Sequence, residues 1–306
     1  MAAILEYTVL EEDTGKTVER IWKRKFGISS KLMTALKYSG KLTLNGEICR
    51  STAVVSCGDI IRADVSENEV HEGIVPTKIP LSVLLEDDYI MVVDKPGGLE
   101  VHPSLGCYSE TLANAVMYYW RQNGEYHKYH IVNRLDKDTS GLCVIAKNQY
   151  AHSRLSAQMS DHTFGRRYTA IIHGVPEIKT GCIEIPIKRD EMSILTRICA
   201  DDGKYAKTNY TITKTFGGMY SVADIELETG RTHQIRVHFS HIGHPLVGDW
   251  LYGRGDFERD LICRQALHSG YLHFVHPSTN KFMEFSTDLP PEMSGLIDKI
   301  MLKFSL

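Results

Sequence analysis

The chain of 306 residues lacks several features that mark common protein classes. No stretch approaches the roughly 20 consecutive apolar residues that span a bilayer. The first residues also lack the basic and apolar regions of a signal peptide. The seven cysteines include no Cys-x-x-Cys pair, which argues against a zinc ribbon and a thioredoxin motif. We therefore expect a cytoplasmic protein with reduced thiols and no membrane association.

The overall charge is low, but the positive charge is concentrated in one segment. The formal net charge of −3 argues against a protein that coats nucleic acid non-specifically. Between residues 20 and 41, however, seven basic residues occur and no acidic residue interrupts them. They are Arg20, Lys23, Arg24, Lys25, Lys31, Lys37 and Lys41. Such a segment is typical of a surface that binds RNA phosphates.

The same segment has the hydrophobic spacing of two short amphipathic helices. Residues 27–30 form the break between them, with a serine as N-cap. Residues 41–48 then predict a strand that enters a tight turn at Asn45 and Gly46, and a second strand is expected at 59–63. This order resembles the S4 RNA-binding module, which we assign to residues 12–66. The pattern fits equally well a solvated basic helix face on an ordinary small domain. In the first interpretation, five residues contact RNA phosphates: Arg20, Lys23, Arg24, Lys31 and Lys41.

The rest of the chain predicts a larger α+β domain. Residues 67–80 are polar, contain two prolines and are predicted to be a linker, so that the second domain covers residues 81–306. Strands are predicted at 89–94, 142–146, 168–173, 222–227 and 271–275, and helices at 111–121 and 150–160. This irregular order favours a mixed, largely antiparallel sheet flanked by helices and loops.

The densest cluster of reactive side chains is residues 133–141, NRLDKDTSG, directly before a predicted buried strand. Enzymes often place reactive groups on a loop that a rigid strand positions. Composition alone favours a simpler interpretation, in which Thr139 and Ser140 cap a polar turn and an Asp–Arg pair is only a salt bridge.

A second cluster, residues 228–238, contains two arginines and leads into a series of histidines: His233, His238, His241 and His244. A metal site is one interpretation of this spacing, but no cysteine or carboxylate completes a ligand set. We favour neutral, hydrogen-bonded histidines and predict no metal. A third cluster, residues 164–170, places Tyr168 at the start of a strand, where a tyrosine ordinarily packs in the core.

Four segments together resemble the RluA family of RNA pseudouridine synthases. They are residues 94–103, DKPGGLEVHP; 134–142, RLDKDTSGL; the tyrosine of 167–168; and 230–238, GRTHQIRVH, followed by 243–249, GHPLVGD. The resemblance implies that Asp136 is the nucleophile and that Arg236 pairs with it. It also implies that Tyr168 lies against the uracil ring, where it can help move the C5 proton. An S4-like module is a common attachment in this family. One position departs from its pattern, because Asn133 stands where the family usually has a histidine.

The implied reaction isomerises uridine in RNA without net redox change, so we expect no cofactor. Ribosomal RNA of the 23S type is the favoured substrate and transfer RNA the second, and no obligatory protein partner is inferred. The target base must leave its stack, and Arg134 is suited to fill the vacated space. Whether Asp136 attacks covalently or stabilises a positive sugar is left open.

Two other functions remain possible from the sequence. The chain could be a non-catalytic RNA-binding or assembly factor on the same scaffold. It could also be a nucleoside or glycoside hydrolase in which Asp136 and Asp138 are paired carboxylates, although alternating positions on a strand would point them to opposite faces.

Overall fold

A computed structural model of the chain describes residues 3–67, 73–104, 106–254 and 258–304. The first unit is a four-stranded antiparallel sheet with two helices. Its strands, in spatial order, are β1 (Ile4–Thr8), β4 (Ile60–Asp64), β2 (Leu42–Leu44) and β3 (Glu47–Ile48). Its helices are α1 (Val18–Lys25) and α2 (Ser30–Tyr38). No described helix has the length and apolarity needed to cross a membrane.

The predicted helices and hairpin of this unit are confirmed. Thr17 and Ser29 cap the two helices, since each side chain accepts a hydrogen bond from a backbone amide in the first turn. Asn45 and Gly46 both have positive φ, 52° and 89°, as a two-residue hairpin turn requires. Strand β1 was not predicted and pairs with β4 along its whole length. The sheet therefore begins before residue 12, where we placed the start of the domain.

The second unit is built on a large sheet, and its described strands are all antiparallel neighbours except β8 and β15. The order across the sheet is β10 (Thr180–Glu184), β13 (Lys207–Phe216), β14 (Tyr220–Leu227), β9 (Gly165–His173), β15 (Leu267–Val275), β8 (Ser140–Ala146), β6 (Ile90–Lys95) and β5 (Ser82–Glu86). Strands β16 (Phe282–Ser286) and β7 (His130–Ile131) pair with β15 and β8. The predicted mixed, largely antiparallel α+β fold is confirmed.

Four helices and a small hairpin complete the described part of this unit. The helices are α3 (Leu112–Gln122), α4 (Gln149–Ser160), α5 (Gln234–His241) and α6 (Pro291–Phe304), and the hairpin pairs β11 (Ile187–Arg189) with β12 (Arg197–Cys199). Every strand and helix that the sequence predicted here is present. The elements that the prediction missed, including β10 to β13 and β16, are short or half exposed, so their hydrophobic pattern is weak.

The two units pack against each other directly. One continuous buried cluster contains Trp22 of α1, Val144 of β8 and Leu155 of α4. Tyr89 donates a hydrogen bond of 2.9 Å to the backbone carbonyl of Ile4. The small domain is therefore held in place by core contacts with the large one.

The described part of the predicted linker is also attached to the large domain. The carboxylate of Glu67 bonds to His130 at 2.9 Å and accepts the amide of Gln149 at 3.0 Å. Further along, Ile74 is buried, and the amide of Asn114 donates to the carbonyl of Val75. Residues 68–72 of the predicted linker lie outside the described residues.

Candidate active site

A cavity of about 420 Å³ opens between the loop that precedes β8 and the loop that precedes α5. Its lining includes the three residues predicted to be catalytic, Asp136, Tyr168 and Arg236. Asp136 lies on the first loop, Tyr168 on β9 and Arg236 on α5. The fold therefore brings three separate segments of the chain to one place.

Arg236 links Asp136 to a second, fully buried carboxylate. Its Nη1 donates to Oδ2 of Asp136 at 3.2 Å, while Nε and Nη2 donate to the two oxygens of Asp249 at 2.7 and 2.9 Å. Asp249 is 0% exposed and also accepts two backbone amides. This bidentate pair between Arg236 and Asp249 fixes the plane of the guanidinium. Asp136 is partly exposed and faces the cavity. Its carboxylate is positioned by Arg236, which is in turn fixed by the buried Asp249.

Sequence reasoning did not select Asp249, although it lies in the quoted segment 243–249. An aspartate after a glycine is ordinary turn chemistry, and nothing local shows that its partner lies on α5.

His233 is the second side chain beside Asp136. It precedes α5 with φ 58°, and its Nε2 lies 4.0 Å from Oδ1 of Asp136. Its other nitrogen, Nδ1, bonds to the hydroxyl of Tyr252 at 2.9 Å. Burial lowers the pKa of His233. The negative charge of Asp136 opposes this shift, and the positive charge of Arg236 reinforces it. The imidazole is therefore neutral at pH 7.

Asn133 supports the loop that carries Asp136 from inside the protein. Its side chain is fully buried, donates to the carbonyl of Leu142 at 2.9 Å and accepts the amide of Val144 at 2.8 Å. Both partners belong to β8, so the loop is tied to the strand that follows it. The buried amide therefore supports the loop.

The other end of the loop is held by a tight backbone contact. Gly141 has φ 115°, and a Cβ there would lie 2.3 Å from the carbonyl oxygen of Ser269. Only glycine fits this position. Arg264 donates to the carbonyl of Asp138 at 2.9 Å and to the hydroxyl of Ser140 at 3.0 Å, and it pairs with Glu292 of α6.

Lys95 is buried beneath the same loop. Its ammonium donates to the carbonyls of Pro96, Leu99 and Lys137 at 2.8–2.9 Å. Burial lowers the pKa of Lys95 to about 8. The lysine thereby connects the segment 94–103 to the loop of Asp136, which explains why the two sequence motifs lie together.

Tyr168 is 5% exposed and presents its ring to the cavity. Burial raises the pKa of its phenol. The side chain therefore stays protonated at neutral pH.

Three histidines of the second cluster, His233, His238 and His244, have hydrogen-bond partners of their own. His238 bonds to the hydroxyl of Thr208 and the carbonyl of Ile185, and burial lowers its pKa. His244 bonds to the carbonyl of His173. Among the described residues, no three His, Cys, Asp or Glu side chains are grouped closely enough to hold a metal ion.

The predicted RNA-binding residues fall into two groups. Arg134 is exposed, lines the cavity and has no ion pair or hydrogen bond within the described part of the chain. The five residues of the small domain lie outside the cavity. Lys23 pairs with Glu19 at 2.6 Å and Lys41 donates to a backbone carbonyl. The three that remain exposed are Arg20, Arg24 and Lys31.

The chain is similar to known RNA pseudouridine synthases. The model of a family described as RNA pseudouridylate synthase matches residues 89–241. The uncharacterised RNA pseudouridine synthase YjbO of Bacillus subtilis is 40% identical over 274 residues, which cover 89% of this chain and 95% of that protein. The ribosomal large subunit pseudouridine synthase D of Zymomonas mobilis is 40% identical over 239 residues, or 74% and 75% of the two chains.

One solved structure shares the fold at lower identity. The human RNA pseudouridylate synthase domain containing 1 superposes with a TM-score of 0.59 at 23% identity, covering 74% of this chain and 95% of that one.

Proposed function

The chain belongs to the RNA pseudouridine synthase family, as the RluA-like motifs implied, and we propose that it uses Asp136 to isomerise uridines of large-subunit ribosomal RNA. The observation that carries the assignment of Asp136 is its contact with Arg236. A carboxylate that lines a cavity and is held by a buried arginine is oriented before substrate arrives, and preorganised groups of this kind supply much of an enzyme's rate.

The reaction needs few parts. The C1′–N1 bond of uridine breaks, the uracil turns, and a bond from C1′ to C5 forms. C5 loses its hydrogen as a proton and N1 gains one, so atoms and electrons balance without a redox partner. Asp136 either attacks the nucleoside covalently or stabilises the positive charge that develops on the sugar.

Tyr168 and Arg134 have complementary roles in this proposal. Because burial keeps the phenol of Tyr168 protonated, we assign it to packing against the uracil ring rather than to proton abstraction. Arg134 stands exposed at the rim, next to Asp136 in the sequence. Its planar guanidinium is suited to stack in the space that the target base leaves.

The proposed substrate class rests on relatives and on the small domain. The Zymomonas mobilis relative is named for the large ribosomal subunit. The small domain presents Arg20, Arg24 and Lys31 to solvent, where they can meet phosphates. Transfer RNA is the second candidate, and we place the reaction in the cytoplasm, where both RNAs are found.

The two rival functions have less support. A silent RNA-binding protein has no need of an Asp136 that Arg236 and the buried Asp249 orient in a cavity. A hydrolase with paired carboxylates would need Asp138 beside Asp136 in the cavity, and Asp138 is not among the residues that line it.

The test is the release of tritium from uridine-5-tritiated ribosomal and transfer RNA. We expect the wild type to release tritium to water, Asp136→Asn to release none while it still binds RNA, and Asp138→Asn, a change two residues away, to retain activity. Equal loss in both variants would mean that the loop, and not the nucleophile, was damaged. Release of free uracil would support the hydrolase. Retained activity in Asp136→Asn would remove Asp136 from its role.

A further inference from the structure

Arg166 is a buried cation in the active-site cavity that takes no part in the proposed mechanism. It lies on β9, two residues before Tyr168, so the two side chains share one face of the strand. It is 6% exposed and lines the same cavity as Asp136. The guanidinium lies beside Gly230, where a Cβ would come 3.1 Å from Nη1. The glycine at 230 thus leaves the arginine room to reach the cavity.

The charge of Arg166 is not neutralised by the described part of the protein. Its buried Nε has no hydrogen-bond partner, and no ion pair or hydrogen bond from its other nitrogens reaches a described residue. The other buried arginines differ, since Arg236 bonds to two aspartates and Arg264 bonds to Glu292. A buried charge without a partner is strongly destabilising. Such a residue is retained in a cavity when a ligand supplies the missing charge.

Glu100 and Asp136 are the carboxylates among the described residues that line the cavity, and neither forms an ion pair with Arg166. Asp136 accepts from Arg236, and Glu100 accepts from the hydroxyl of Ser104 at 2.6 Å. The missing anion must therefore come from the substrate. Uracil and ribose are neutral, and the only negative groups of RNA are its phosphates.

We propose that Arg166 binds a phosphate that flanks the target uridine, and so acts as a substrate-binding residue in the cavity. This inference rests on the proposed function, because it takes the ligand to be a nucleotide of RNA. Residues two apart on a strand are separated by about 7 Å. If the uracil packs against Tyr168, the Arg166 guanidinium lies beside the base-binding site. At that position it can reach a backbone phosphate of the same nucleotide. The contact forms only when the nucleotide is drawn into the cavity, so it favours the flipped state.

The strand supplies a matched control. Arg167, the next residue, points to the opposite face and is exposed. It lies 3.9 Å from Glu226 and 5.0 Å from the centre of the Tyr271 ring. Arg167→Met removes the same side chain from the same strand without entering the cavity.

The experiment measures binding of two small ligands, uridine and uridine 3′,5′-bisphosphate, by calorimetry at constant ionic strength. We expect the wild type and Arg167→Met to bind the bisphosphate about 10- to 100-fold more tightly than uridine, as a charge-assisted hydrogen bond provides. Arg166→Met should bind both ligands about equally, and Arg166→Lys should keep part of the preference. Without ligand, Arg166→Met should unfold at a higher temperature than the wild type, because the unpaired charge is gone. If the role of Arg166 were only structural, Arg166→Met would unfold at a lower temperature than the wild type.

Three results would overturn the proposal: no preference for the bisphosphate in the wild type, a preference that persists in Arg166→Met, or a drop in uridine affinity in Arg166→Met equal to its drop in bisphosphate affinity. The last result would assign Arg166 to the base. If Arg166→Met fails to fold, the preference for the bisphosphate is compared between Arg166→Lys and Arg167→Met. An equal preference in these two variants would then overturn the proposal. The test measures binding and not turnover, so it is independent of the tritium assay. A chain that is inactive on RNA but binds the bisphosphate through Arg166 would refute the proposed function alone.

Discussion

Arg236 donates to Asp136 across 3.2 Å, although 100 residues separate them in the chain. The same guanidinium makes two shorter bonds to Asp249. The proposed nucleophile is therefore positioned by an arginine whose orientation depends on a residue outside the cavity lining.

Asp249→Asn is expected to reduce kcat about a hundredfold, because a guanidinium released from its two-bonded partner no longer holds Asp136 in one orientation. RNA affinity should change little, since Asp249 is fully buried. Single-turnover tritium release and an RNA-binding titration measure the two quantities. Asp202→Asn, which disrupts an exposed pair with Lys188, is the control and should behave as the wild type. A change in RNA affinity without a change in kcat would contradict the positioning role.

Asn133→Ala is expected to lower the free energy of unfolding by about 2–4 kcal/mol, because two buried backbone groups lose their partners. Asn133→His, which installs the residue usual in the family, can keep one bond and should be less destabilising. Denaturant unfolding measures both variants, with the exposed Gln122→Ala as control. If Asn133→Ala unfolds like the wild type but binds RNA less well, Asn133 is an RNA contact after all.

The stability of the protein should depend on His268 below pH 6.5. Burial, reinforced by the charge of Arg264, lowers the pKa of His268 to about 4, against 6.5 for an ordinary histidine. Between these values the unfolded chain binds the proton and the folded chain does not, so stability falls as the pH falls. By pH 5, protonation of His268 in the unfolded chain should lower the free energy of unfolding by about 2 kcal/mol.

Thermal unfolding of His268→Asn between pH 7 and pH 5 measures this effect. The stability of the variant should fall less over that range than that of the wild type, while the exposed His241→Asn should match the wild type. Parallel curves for the wild type and His268→Asn would show that His268 is protonated in both states or in neither.

Arg134→Ala should slow the reaction more on structured RNA than on an unstructured oligonucleotide. Filling the vacated space matters only where the target base must leave a stack, a step that costs a few kcal/mol. The ratio of single-turnover rates on the two substrates is the measurement. Arg134→Lys keeps the charge but not the planar group and should behave like the alanine variant. An unchanged ratio would remove the stacking role.

The basic face of the small domain should contribute salt-dependent affinity. Replacing the three predicted RNA-binding residues that are exposed there with glutamine should reduce the slope of log affinity against log salt by about 0.7–0.9 for each phosphate that these side chains neutralise. The variant is Arg20→Gln, Arg24→Gln, Lys31→Gln, and its control is Lys179→Gln, Lys214→Gln, Lys281→Gln. Equal slopes in both variants would favour the ordinary solvated helix face.

Much of the fold follows from local pattern. The apolar runs of β6 and β8, the caps at Thr17 and Ser29 and the turn at Asn45 depend on nearby residues, so the sequence predicted them. The half-exposed strands and β1 depend on distant partners, and their patterns were too weak to detect.

The candidate site likewise has features that the sequence predicted and features that only the tertiary structure showed. The sequence by itself determined which segments carry the chemistry, because their residue types and order resemble one family. Only the tertiary structure decided how those residues act on one another: that Asp249 holds Arg236, that Asn133 faces inward, and that Arg166 has no described partner. The physical reason is that burial and hydrogen bonding between side chains depend on contacts across many residues, which a local pattern does not encode.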